Sequence, residues 1–158
     1  MSGVTHTAVS LASRFTGLRE LPGADHNARI VAMLQRRFGP GRGPADDETP
    51  WCAAFVGEIA WLLGLPEPAS EWLRARSWLT VGTPITLDDA RAQFDVVVLN
   101  RAGGPQDPAI IKAPGHVGFY FGHTSAEISI LGGNQGNTVS AKAYPRSALL
   151  GVRRLHDG

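Results

Sequence analysis

The chain contains one cysteine, Cys52, within DETPWCAAFVGEIAWLLG, residues 47 to 64. Thr49 suits a helix N-cap and Pro50 the first helical position, where a missing N–H costs nothing. This spacing predicts a helix with Cys52 third in its first turn. Because a helix N-terminus carries about half a unit of positive charge, it favours thiolate. The expected Cys52 pKa therefore falls from about 8.5 into the range of about 3.5–7.5 seen for activated cysteines. The competing reading makes Cys52 a small core hydrophobe.

A nucleophilic cysteine needs a base, most often a histidine distant in sequence and near in space. Of the five histidines, His6 and His156 lie in the termini and His26 opens an early helix, whereas His116 begins a strand after Ala-Pro-Gly. Strand alternation puts His116, Gly118 and Tyr120 on one face and Val117, Phe119 and Phe121 on the core face, with Gly118 leaving space beside the imidazole. His123 is an odd seven residues on, so in a continuous strand its ring faces away from His116, which argues against a shared metal. Spacings such as H-x-x-x-H are missing, and neither a metal nor a cofactor is expected. A third group must hold the imidazole in one tautomer, and Gly-Gly-Asn-Gln at 132 to 135 offers Asn134 and Gln135.

The elements that position these groups change character along the chain. Residues 1 to 22 form a weakly patterned, loosely ordered lead-in with room for one short helix, followed by one domain over 23 to 158. A helix over 26 to 38, capped by Asp25, carries Ile30, Met33, Leu34 and Phe38 at helical spacing. The Cys52 helix is apolar all round apart from Glu58 and is expected to be buried. A third helix over 70 to 80, capped by Ser70, presents Trp72, Leu73, Trp78 and Leu79. Five β-rich runs follow: 94–99, 116–121, 127–131, 138–144 and 149–155. Helices first and strands afterwards describe an α+β domain with an antiparallel sheet.

Composition narrows the partners. The 158 residues carry fifteen Lys and Arg against fourteen Asp and Glu, a net charge of +1 that points to no nucleic acid. A lone cysteine forms no intrachain disulfide, so stability must come from packing. The start lacks the basic and apolar regions of a secretory signal, and no run of about eighteen apolar residues predicts a membrane span.

Several ordered segments resemble a family of small bacterial and phage cell-wall hydrolases related to the NlpC/P60 and CHAP peptidases. They are HNARIVAML (26–34), DETPWCAAFV (47–56), ARSWL (75–79), GHVGFYFG (115–122), LGGNQGN (131–137) and YPRSALLGVRRL (144–155). The resemblance spans residues 20 to 155. It implies a papain-like, NlpC/P60-type domain in which Cys52 matches the nucleophile, His116 the general base and Asn134 the orienting residue, with Gln135 or Glu48 as alternatives. Trp51, Glu48 and Gln135 are the expected substrate contacts. Asp95 matches a position read as structural. The loop 100 to 116 is longer than in relatives and is expected to border the cleft.

The function so implied is hydrolysis of a peptidoglycan amide bond through a thioester, in a phage or prophage lysin or an antibacterial effector. The rival is a non-catalytic wall-binding or assembly module whose tryptophans, Trp51, Trp61, Trp72 and Trp78, stack on the ligand. On either reading the protein is made in the cytoplasm and acts in the periplasm or cell wall after release, secretion or injection. An immunity protein, or a holin or delivery system, would be its partner.

Overall fold

The computed structural model describes residues 6–39, 41–101 and 103–158. Three helices, α1 (Ala8–Ser13), α2 (Ala28–Gln35) and α3 (Cys52–Leu63), precede a 3-10 segment (Ala75–Thr80). Six strands follow: β1 (Thr83–Ile85), β2 (Asp95–Asn100), β3 (Gly115–His123), β4 (Glu127–Gly132), β5 (Ser140–Pro145) and β6 (Leu149–Arg154). They form one open antiparallel sheet in the order β1-β6-β2-β3-β4-β5. This is a small α+β domain, as the order of helical and β-rich segments implies.

The helices cover one face of the sheet, and alternation along the strands decides which side chains meet them. Val96, Val98, Val117, Phe119 and Leu131 point into a core shared with Ile30, Met33, Leu34, Phe55 and Ile59. Each fully buried side chain of this size is worth about 1.5–3 kcal/mol. The opposite face has its own cluster, in which Val97, Leu99, Tyr120, Ile128, Ile130 and Val152 are covered by Leu87 and flanked by Tyr144.

Several boundaries differ from the sequence expectation. Residues 6–22 are no loose lead-in: α1 buries Ala8 and Ala12 completely, and Val139 N–H donates to the Leu18 carbonyl. Residues 1–5 lie outside the described residues. Helix α2 is capped by Asn27, whose side chain accepts from Arg29 N–H, rather than by Asp25. It ends before Phe38, which is 45% exposed. The helix expected over 70 to 80 shrinks to the 3-10 segment because Glu71 takes a left-handed conformation, φ 54°, that interrupts the turn. Helix α3 is less enclosed than its apolar surface suggests, leaving Trp61 56% and Leu62 47% exposed, with the Arg36 guanidinium 5.5 Å from the Trp61 ring. No helix among the described residues is long and apolar enough to cross a membrane.

In β3 the register shifts between Tyr120 and Gly122. The extra residue, Phe121, is 49% exposed instead of facing the core. The bulge also reverses alternation beyond it. His123 therefore pairs with Ile128, on the same face as Tyr120 and His116, and its Nδ1 lies 2.6 Å from Tyr120 Oη.

Candidate active site

Helix α3 begins two residues later than the capping pattern predicts. Trp51, not Thr49, is its N-cap; no side chain caps it, and the Trp51 carbonyl accepts the first helical hydrogen bond from Phe55 N–H. Cys52 is thus the first helical residue. Burial fixes this start, because the Trp51 ring is wholly enclosed, its Nε1 donating to Glu20 Oε1 at 2.9 Å. A Cβ added at Gly133 would come within 2.6 Å of that ring. The close approach explains a glycine in the 132–135 turn, and it removes Trp51 from the expected substrate surface.

The pairing of β4 with β3 ends at Leu131 opposite Phe119, so the ladder does not extend along residues 115–118 of β3 on that side. Cys52 lies beside Val117 at this opening, close enough for the Val117 N–H dipole to act on its sulfur. Burial is the dominant influence and pushes the thiol up from its ordinary value of 9.0. The Val117, Ala53 and Cys52 N–H groups and the Arg101 charge act in the opposite sense. The expected depression of the Cys52 pKa is therefore corrected: desolvation of the anion outweighs the helix end.

His116 precedes Val117 and is 3% exposed on the other face of the strand. Gly118 leaves no vacant space beside it, since a Cβ there would meet Ile130 Cγ2 at 2.1 Å. Its Nε2 lies 2.9 Å from Gln135 Oε1. The Gln135 amide is oriented by its own donors, which reach the Ile130 carbonyl at 3.2 Å and the Ser140 carbonyl at 2.6 Å. The Tyr144 hydroxyl also donates to Oε1, at 3.1 Å. An oxygen so placed can only accept, so the imidazole carries its proton on Nε2 and keeps a lone pair on Nδ1. Nδ1 has no hydrogen-bond partner among the described residues. Burial lowers the His116 pKa from 6.5 to about 4; the Gln135 bond opposes this, and the charges of Arg101 and Lys142 reinforce it.

The orienting contact to His116 is thus made by Gln135 rather than Asn134. Asn134 has a left-handed backbone, φ 58°, a conformation that asparagine tolerates better than most residues, and this accounts for its place in the turn. Glu48 is exposed, its N–H bonded to Asp46 Oδ1 at 2.7 Å. It does not line the cleft, whereas Thr49 and Pro50 do.

That cleft has a volume of about 760 Å³ and is bordered by Cys52, Phe38, Trp72, Arg74, Arg101 and Lys112, among others. One wall comes from the long 100–116 loop, as expected from sequence. Arg76 holds this loop while itself fully buried. It donates to the carbonyls of Pro105, Asp107 and Pro114 and to Asn100 Oδ1, at 2.7–3.1 Å. No carboxylate among the described residues pairs with it. Sequence reasoning assigned no role to Arg76, Arg101 or Tyr144, although Arg76 and Tyr144 lie within the segments that carry the resemblance.

Two other polar groups are structural. Asp95 makes paired bonds to Arg154, both at 2.9 Å, and accepts from Arg91 N–H. Asp47 is fully buried and accepts from the N–H groups of Leu21 and Asn27, with His26 Nδ1 at 3.2 Å, pinning the start of α2 to the segment before α3. His26, Asp46 and Asp47 form the one grouping of three metal-ligand types among the described residues, but donors already engage Asp47.

No protein-family model matches the chain, and no curated protein matches it by sequence. Among solved structures it is similar to NlpC1 from Trichomonas vaginalis, with a TM-score of 0.54 and 16% identity over 94% of this chain. The two share a fold. The chain spans 42% of the NlpC1 chain, so the likeness concerns one NlpC-like domain, consistent with a papain-like arrangement of helix and sheet.

Proposed function

We propose that this protein is a cysteine hydrolase of peptidoglycan amide bonds. The observation that carries the reading is the junction at β3: Cys52 opens α3 on the cleft beside Val117, and the preceding residue, His116, is fixed by Gln135 through Nε2; the proposed proton transfer requires the two side chains to meet around the unpaired edge of β3. Cys52 Sγ attacks the amide carbonyl as its proton passes to Nδ1. The Cys52 backbone N–H, at the positive end of α3, stabilises the oxyanion. His116 then delivers that proton to the leaving nitrogen, the C–N bond breaks, and a thioester remains. Water, losing its proton to Nδ1, hydrolyses the thioester and restores the thiol.

Burial favours the neutral thiol and neutral imidazole at rest. Proton transfer accordingly accompanies attack and does not precede it. Gln135 acts as a positioning residue through the ring. The peptidoglycan assignment rests on the ordered motif resemblance, and the NlpC-like fold agrees with it. Purified protein is expected to release new amino termini from bacterial sacculi, and Cys52→Ala to release none. Equal release by that variant refutes the reading. Sacculus binding with no product from either protein would instead favour a wall-binding module, the reading to which a buried, neutral thiol lends weight.

A further inference from the structure

A second cavity of about 290 Å³ lies on the His116 face of the sheet. Cross-strand register builds it: Ile130 and Ile128 pair with Lys142 and Tyr144, bringing both to the same face as His116. The eleven residues that line it include two cations, Arg101 and Lys142, and no acid. Neither cation makes an ion pair among the described residues. Lys142 Nζ is 5.3 Å from the Tyr144 ring centroid, which holds it beside the cavity. Arg101 borders both this cavity and the Cys52 cleft, so one substrate can engage the two together.

We propose that this second cavity is a carboxylate subsite, in which Arg101 and Lys142 bind a free carboxylate on the amine side of the amide to be cleaved. The inference rests on the hydrolase reading for its polarity. His116 protonates the leaving nitrogen, so the space beside His116 receives the leaving half of the substrate. Two cations, one just past the end of β2 and one on β5, suit the two oxygens of a carboxylate; a neutral carboxamide would leave both charges uncompensated. The volume accommodates an amino-acid-sized group and not a sugar chain.

The test compares two muropeptides, a disaccharide tetrapeptide with its carboxylates free and the same molecule with them converted to carboxamides. Wild-type kcat/KM is expected to favour the free acid by about tenfold or more, the effect of one charge-assisted hydrogen bond. Lys142→Met and Arg101→Met should each reduce that ratio several-fold, Lys142→Arg should preserve it, and Lys112→Met, which alters the main cleft alone, should leave it intact. A ratio measured within one variant is insensitive to the fraction folded. Calorimetric Kd values for both muropeptides on Cys52→Ser separate the two ideas: a carboxylate preference in binding without turnover in the wild type sustains the subsite and sinks the hydrolase. Equal affinity for acid and amide, or no binding of either, overturns the subsite.

Discussion

Acidification should weaken this fold through His116. The ring is held neutral by burial, and its pKa falls from 6.5 to about 4. The unfolded chain thus binds a proton that the folded chain refuses. The stability at stake is fully present above pH 6.5 and is lost as pH falls toward 4. At about 1.4 kcal/mol per pH unit, that interval corresponds to about 3 kcal/mol, a large share of the ordinary 5–15 kcal/mol of a domain. Other groups titrate nearby. Asp47 loses stability only below its ordinary 3.8, and Glu58, raised by burial, acts in the opposite direction. The informative quantity is therefore the difference between wild type and His116→Gln in urea unfolding at pH 7.5, 6.5, 5.5 and 4.5. That difference should shrink by about 3 kcal/mol across the series. A difference independent of pH, or an NMR inflection for the His116 ring near 6.5, would refute the argument that burial controls this imidazole.

Three further outcomes follow from the site. The alkylation rate of Cys52 with iodoacetamide should inflect above the ordinary thiol value of 9.0, and Arg101→Gln should move it higher; an inflection near 7 would show that the helix end prevails over burial. Gln135→Glu puts a carboxylate on His116 Nε2 and should raise the ring pKa in an NMR titration, while Gln135→Leu should lower kcat by about tenfold or more with little change in KM, as expected when a ring loses its orienting partner. Arg76→Met strips four acceptors of a buried donor and should cost about 3 kcal/mol in urea unfolding, with new protease cleavage inside 101–113; unaltered stability and cleavage would show the clamp to be dispensable.

What the sequence made legible was whatever periodicity or punctuation encodes. Five of the six strands stand where alternation places them, and α3 is closed by Gly64 in the left-handed conformation, as a C-terminal glycine predicts. Cys52 stands at the start of α3 and His116 at the start of β3, the element types that spacing predicts for them. The three-residue β1 was too short to leave a pattern. The bulge at Phe121 was invisible because period-two reasoning assumes an unbroken ladder, so the faces of Phe121 and His123 came out reversed. Asn134 was preferred over Gln135 on the resemblance alone, since their amide chemistry is the same, and only the three-dimensional geometry shows that one serves the turn and the other the ring. The thiol was misjudged for a related reason: position in a helix is readable from spacing, but depth of burial arises from Trp51, Gly133 and β3 meeting in three dimensions.

Arg76 grips main-chain oxygens, and two of its acceptors are proline carbonyls. A fastening of that kind is indifferent to the identity of most side chains it secures. The wall of the cleft between Arg101 and Pro114 can therefore be rewritten residue by residue, altering which molecules fit, while its anchorage stays the same. Specificity and scaffold are separated at a single guanidinium, so a library randomised in that loop with Arg76 retained offers a direct route to variants with new preferences.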